Sequence, residues 1–333
     1  MKSNNNDNNT NDLINYYNFN EDGSCISIGT KIGFKIVTCD PFTNYQYRKF
    51  GRGIEIVEMY QSSNIIAFVR SESNSKIPLT KLIIWDDNEE EIIREIRVSS
   101  KIRIIKIIKN ILFIVNDIKI YIFNFEDLSL ISSYEIFLYE KELISFSVNK
   151  NIKIAYVCKN KKQIFIENID TKKQIKIKNI DDDDELKYSY IQFNQKGDII
   201  AGAMKGKIHL YKTSNGELLR EIDNDNLNIG NINCISFSEK DKFLAVSTIE
   251  DNSGRINIFD IGTKKETSFF DLFMSNKDTC FAYYKMNTKG FIFSFNKEDS
   301  ILIITQKGNF IKINIDKENG GYCKKVIFKN VFE

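Results

Sequence analysis

The residues from which acid–base, nucleophilic or metal chemistry would have to be assembled are few: one histidine, His209, and six cysteines, Cys25, Cys39, Cys158, Cys234, Cys280 and Cys323. A catalytic histidine needs a nucleophile or a second acid within hydrogen-bond reach, and His209 lies in GKIHLYK, an alternating apolar and polar run with no such partner in sequence. It reads as a strand residue. The cysteines form no C-x-x-C pair and have a single histidine to join them, which argues against a zinc cluster or a disulfide framework and fits a reducing compartment. No glycine-rich phosphate loop and no paired acid stands near either residue type. Neither enzyme chemistry nor a cofactor is expected. With 47 basic against 45 acidic side chains the formal net charge is +2, and the lysines are spread along alternating runs rather than gathered in a stripe, so nucleic acid is not an expected partner. The acidic run from Asp181 to Glu185 reads as a solvated loop.

The elements that must position these residues are strands. In the stretch from Ile191 to Leu219, short alternating apolar runs (Ile191 and Phe193, Ile199 and Ala201, Ile208 and Leu210) are broken by turn clusters at Asn194 to Gly197, Lys205 to Gly206 and Ser214 to Gly216. That is a meander of four short antiparallel strands. The same frame recurs from Phe19 to Ile36, Phe237 to Phe259 and Phe295 to Ile313, at roughly forty residues, the period of a WD-repeat propeller. Seven units fill the chain: Leu13 to Phe50, Ile54 to Arg97, Ile102 to Ile136, Leu143 to Lys178, the unit at Ile191, one beginning at Ile232, and a last one whose fourth strand is YCKKVIFKN. The expected fold is all-β, a seven-bladed WD-repeat-like β-propeller with four antiparallel strands per blade over residues 13–333, closed without an N-terminal strand in the last blade. Residues 1–12 read as a disordered polar tail. Units three and four lack obvious glycine turns. No apolar run has the length of a membrane span and the N-terminus lacks an apolar signal core, so a cytosolic location is expected.

Several segments, in order, resemble the PROPPINs, the WIPI-type seven-bladed propellers of autophagy: FNEDGSCISIGTKIGFKIVTCDPF, GIEIVEMYQSSNIIAFV leading to KIPLTKLIIWDD, IKIYIFNFEDLSLI, TSNGELLREI, INCISFSEKDKFLAVS and GGYCKKV. P-x-x-K-x-x-I-W-D-D most resembles the branch with short loops. The resemblance runs over nearly the whole chain after about residue 13. It implies a non-enzymatic scaffold in autophagosome formation, monomeric, cytoplasmic and peripheral on autophagy-related or endosomal membranes that carry phosphoinositides. Its implied partners are an autophagy scaffold or lipid-transfer protein, and by general analogy with loop-bearing propeller rims the insertion Ser71 to Thr80 is where a protein partner is expected.

The family's lipid motif is a pair of arginines followed by glycine after the outer strand of the fifth blade. Planar guanidinium forks suit phosphate oxygens, and adjacent strand residues face opposite sides, so two arginines serve two pockets. Here the matching positions are Asp223, Asn224 and Asp225, and the two carboxylates would repel phosphate. Two lost charge-assisted anchors remove about 3–6 kcal/mol. Of the implied flanking pocket, Ser247 and Thr248 match hydroxyl positions, an insertion Ile249 to Ser253 follows, Asn257 stands in place of histidine, and Arg255 offers a replacement cation or is a solvated strand residue. Arg52 resembles half of the motif but reads as a turn residue. The family's membrane-inserting loop corresponds to residues 262–279, where Phe269, Phe270, Leu272, Phe273 and Met274 follow Lys264 and Lys265, rings below cations as in an interfacial segment, or packed back onto the rim. The expectation is therefore divided. A membrane-recruited scaffold is favoured by Phe269 to Met274, and a cytosolic protein-interaction propeller that has lost lipid binding by Asp223 and Asp225.

Overall fold

The computed structural model describes residues 14–71, 79–136, 140–157, 163–178, 187–204, 206–223, 227, 231–250, 252–262 and 279–333. Strands follow one another at the expected period and fold into radial sheets. The first blade holds β1 (Ile14–Phe19), β2 (Cys25–Thr30), β3 (Gly33–Cys39) and β4 (Phe42–Lys49). The second holds β5 (Ile54–Met59), β6 (Ile65–Arg70), β7 (Lys81–Asp86) and β8 (Glu91–Arg97). The third holds β9 (Ile102–Ile108), β10 (Ile111–Asn116), β11 (Lys119–Asn124) and β12 (Leu130–Glu135), and the fourth β13 (Ile144–Val148), β14 (Ile152–Val157), β15 (Gln163–Asn168) and β16 (Lys173–Lys178). The fifth holds β17 (Tyr190–Phe193), β18 (Ile199–Met204), β19 (Lys207–Lys212) and β20 (Leu218–Asp223); the sixth β21 (Asn231–Phe237), β22 (Phe243–Ile249), β23 (Gly254–Asp260) and β24 (Ala282–Met286). The seventh takes β25 (Phe291–Lys297), β26 (Ser300–Thr305), β27 (Asn309–Asn314) and, after the two-residue β28 (Gly321–Tyr322), β29 (Lys324–Asn330).

Each blade is a four-stranded antiparallel meander, and the seven make a β-propeller ring. The last blade completes itself, β27 pairing with β29 from Asn309 opposite Asn330 to Asn314 opposite Lys324, while β1 pairs with β2 inside the first blade. The expected closure without a borrowed strand is what the chain adopts.

Why radial sheets stack into a ring follows from the alternation. Strand side chains face the two sides of a sheet in turn, so a blade that is apolar on both faces needs a neighbour on both sides. Seven buried clusters result, one for each interface: blades one and two meet around Phe34, Phe68 and Ile83, blades five and six around Leu210, Ile222 and Val246, and blades seven and one around Phe310, Ile28 and Val37. Each fully buried isoleucine or phenylalanine contributes about 1.5–3 kcal/mol. The innermost strands line a central channel of about 1300 Å³.

One departure concerns turns. Blades three and four lack glycines at their turns because other residues take the left-handed backbone there, Lys109 at φ 52°, Leu128 at φ 57° and Lys172 at φ 54°. A branched residue such as leucine pays strain in that region. Side chains hold such turns in place, as where Asp127 Oδ1 accepts the amide of Ser129 at 2.9 Å across Leu128.

A second departure is β28. The connection from β27 to β29 swings onto the neighbouring blade, where Gly321 and Tyr322 pair in parallel with Ala282 and Tyr283 and give the sixth sheet a fifth strand. Gly320 (φ 66°) and Gly321 (φ 82°) make the swing, and a Cβ on Gly320 would lie 2.1 Å from the carbonyl oxygen of Phe281. Only glycine fits there.

Candidate functional site

The site implied by the sequence lies on the rim of blades five and six. β20 ends at Asp223, opposite Lys207 of β19, with its side chain half-buried; Asn224 and Asp225 lie outside the described residues. The alternation that would serve two pockets is present one turn of pleat earlier. Arg220 points to blade six, its guanidinium donating to the carbonyl of Asp260 at 2.9 Å, whereas Glu221 points to the opposite face, accepting from His209 Nε2 at 2.9 Å.

His209 is a strand residue, fully buried. Its Nδ1 lies 3.0 Å from the Tyr211 hydroxyl, which is 3.0 Å from the Tyr188 hydroxyl, and Lys207 Nζ lies 3.2 Å from the second oxygen of Glu221. Both ring nitrogens are thus satisfied inside the sheet, and the imidazole braces β19 to β20. The sequence showed only the histidine; its partners come from registers that pair Gly202 with His209 and His209 with Glu221.

On the facing blade, adjacent residues separate. Ser247 is fully buried and its hydroxyl donates to Asn233 Oδ1 and, at 3.3 Å, to the carbonyl of Cys234, on the side away from blade five. Thr248 faces the other way, directly opposite Arg255 in the ladder. There Asn257 Nδ2 donates to Thr248 Oγ1 at 3.4 Å, Arg255 Nε donates to Asn257 Oδ1 at 2.7 Å, and the guanidinium stacks 4.2 Å from the ring centre of Tyr283. Arg255 is a strand residue beside a turn, as one of its two readings had it, but it is not left to solvent alone. It is half-buried and held on both flanks. Of the insertion Ile249 to Ser253, Ile249 belongs to β22 and pairs with Gly254, and Glu250 closes the turn by donating its amide to Ser253 at 3.0 Å.

Tyr283 and Cys280 were not legible as site residues. Cys280 Sγ lies 3.8 Å from Asn257 Oδ1; burial pushes its thiol up, while Arg255 pulls in the opposite direction. Both follow residues 263–278, a stretch without a pattern to align, and only the cross-strand pairing of Asn257 with Tyr283 brings them to Arg255. Phe269, Phe270, Leu272, Phe273 and Met274 all lie outside the described residues, as do residues 72–78 of the insertion and the acidic run Asp181 to Glu185. Arg52 is exposed beside Gly51, in a turn. Among the described residues no three histidine, cysteine or carboxylate side chains gather as a metal site, and no helix is long and apolar enough to cross a membrane.

Comparison with known proteins gives the following. Autophagy-related protein 18 of Kluyveromyces marxianus is 34% identical over 137 residues, 41% of this chain; the match spans only about a quarter of that relative's length, 26%. Autophagy-related protein 21 of Schizosaccharomyces pombe is 27% identical over 251 residues, covering 75% of this chain and 71% of the relative. Among solved structures, KlAtg21 in complex with the coiled coil of AgAtg16 superposes with a TM-score of 0.75 at 19% identity over 96% of this chain and 99% of that one, a likeness of fold. The family model described as eukaryotic translation initiation factor eIF2A matches residues 143–282, within the fourth to sixth blades and less than half of the chain.

Proposed function

We propose, for a chain whose sequence relatives and fold make it a PROPPIN-type propeller, that it serves as a non-enzymatic scaffold in autophagosome formation whose hold on the membrane does not depend on a paired-arginine headgroup site. The observation that carries this is the state of the two strands facing each other on the rim. β20 ends in Asp223 where an arginine would be required, and the one basic residue of β23, Arg255, is already engaged by Asn257 and Tyr283. A single half-buried arginine already engaged by Asn257 and Tyr283 gives weak phosphate affinity, since each lost charge-assisted contact removes about 1.5–3 kcal/mol. Attachment then leans on the apolar segment Phe269 to Met274, each large side chain adding about 1.5–3 kcal/mol when buried in a bilayer, and on protein partners at the loop-bearing rim around residues 71–80.

Partners of two kinds follow. KlAtg21 is solved with a coiled coil of AgAtg16, and a helical or extended segment of an autophagy scaffold or lipid-transfer protein is the corresponding partner proposed here. The phosphoinositide membrane is the other, with the protein acting as a monomer that is cytoplasmic and peripheral on autophagy-related or endosomal membranes. The reading is tested by vesicle flotation at moderate salt, with and without phosphatidylinositol 3-phosphate or its 3,5-bisphosphate. Wild type is expected to bind weakly and with little headgroup dependence. Phe270→Asp with Phe273→Asp should release it, and Asp223→Arg with Asn224→Arg should strengthen binding only to the phosphoinositide vesicles. Tight, headgroup-dependent binding that survives the aspartate substitutions would overturn the reading, in favour of a working site at Thr248, Arg255 and Asn257.

A further inference from the structure

The outer strand of a blade presents unpaired backbone donors and acceptors to solvent, and a chain normally blunts such an edge. On the sixth blade the start of the edge is covered, because β28 adds to Ala282 and Tyr283 of β24 in parallel. The neighbouring edge, β29, has no further strand paired to it among the described residues, and it differs in chemistry from the other outer strands. Its sequence KKVIFKN carries three lysines and no carboxylate, with Val326 43% and Phe328 55% exposed. None of Lys324, Lys325 and Lys329 is ion-paired with a described carboxylate, Lys325 lying instead 5.3 Å over the ring of Phe328. By contrast β8 alternates charges and pairs Glu95 with Lys81, β12 has no cation, and on β4 Arg48 is taken by Asp87 and Glu90. β16, KQIKIK, likewise carries three lysines and no carboxylate, but its isoleucines are turned in, Ile177 being buried, so only β29 of the two joins the charge to exposed apolar side chains. The nearest carboxylates in sequence are Glu333 after the strand and Glu318 and Asp316 before it; Asp316 is occupied by the amides of Glu318 and Asn319.

We propose that β29 is a docking edge for an extended acidic segment of a partner protein, which adds as a further strand to the seventh blade. Backbone pairing supplies the register, as in other strand additions. Alternate apolar side chains of the segment lie on Phe328, Val326 and the adjacent Tyr322, itself 58% exposed and packed against Tyr283 and Tyr284 at 5.5 and 5.6 Å. Its acidic residues meet Lys324 and Lys329 on the opposite face, Lys325 lying on the face of Phe328 and adding to the same field, and the uniform sign selects against basic and neutral strands and against a second copy of this same edge. The proposal is independent of the lipid reading, since it uses neither β20 nor β23.

The test uses the full chain and a short fluorescent peptide alternating glutamate with valine, titrated at low and moderate salt, together with amide exchange of the bound complex. Binding is expected to weaken about tenfold in Lys325→Glu with Lys329→Glu and in Phe328→Asp, to be unchanged in Tyr45→Lys on the first blade, and to slow exchange of the β29 amides. Failure of the peptide to bind, equal binding of a lysine and valine peptide, or affinity indifferent to the β29 variants would overturn the proposal. So would binding of phosphatidylserine vesicles that is lost in the β29 variants while the peptide is ignored, which would make the edge a membrane contact. All three positions are exposed, so the variants fold and the readout reports on docking.

Discussion

Lys35 Nζ donates a hydrogen bond to the backbone carbonyl of Val331, across 296 residues of sequence. The lysine is buried, lies 5.7 Å over the ring of Tyr47 and 5.4 Å over that of Phe332, and burial lowers its pKa. Many propellers lock their ring by sharing a strand between the first and last blades; here the first and seventh keep their own strands, and side chains close the ring. Phe42 stacks on Phe310 at 4.8 Å, Lys312 meets Asp40 at 2.7 Å, and Val331 is fully buried in the same interface.

Val331→Ala should therefore destabilise by about 1–3 kcal/mol through the cavity it leaves, and deletion of residues 331–333 by more, since Lys35 then keeps a buried ammonium without its acceptor. Thermal unfolding measures both. A truncation that leaves the midpoint unchanged would show that the ring is held elsewhere.

The same interface has a pH dependence of known sign. Asp40 has its pKa lowered from 3.8, first by its hydrogen bond from Lys312. A carboxylate with a depressed folded-state pKa stabilises above its unfolded value and loses that contribution as pH falls through the folded one. Stability should drop below about pH 4 more steeply in wild type than in Asp40→Asn. The effect is small, as the carboxylate is 41% exposed. Identical acid profiles for the two proteins would remove this latch from the account.

Gly320→Ala is expected to detach β28, because the new methyl would meet the Phe281 carbonyl and the residue sits at φ 66°. Faster amide exchange of Phe281 to Tyr284, with little change in the fourth blade, is the signature. Protection as in wild type would mean that the backbone accommodates the methyl.

His209→Phe removes a fully buried imidazole that satisfies both Tyr211 and Glu221. Tyr211 keeps Tyr188 and Glu221 keeps Lys207, so each loses one hydrogen bond, at about 0.5–1.5 kcal/mol apiece. Loosening should concentrate between β19 and β20, read by exchange of Leu218 to Asp223. If His209→Phe is neutral, the network contributes no net stability.

Arg255→Ala tests the residual lipid pocket apart from the apolar loop. Flotation on phosphoinositide vesicles should change by less than about tenfold, because the guanidinium is spent on Asn257 and Tyr283. A larger loss would assign Arg255 to the headgroup.

The period of forty residues, the seven units and the self-contained last blade were all legible in the sequence. Alternation and turn residues are local properties, and the strand from Lys324 to Asn330 could be counted without knowing what it touches. Blades three and four were read from alternation alone, since Lys109, Leu128 and Lys172 hold glycine-like backbone without announcing it. The site was legible only as a set of candidate positions. That Ser247 turns inward while Thr248 joins Arg255 and Asn257 is decided by the side of the sheet each faces, hence by a register with β23 that a single slipped residue would invert. That Arg255 is engaged at all depends on Tyr283, which arrives on another strand after residues 263–278. That β28 covers the start of one edge, while β29 has no further strand paired to it among the described residues, depends on a chain crossing between blades at Gly320 and Gly321. Such relations join residues far apart in the chain through packing and pairing geometry, to which a one-dimensional pattern is blind.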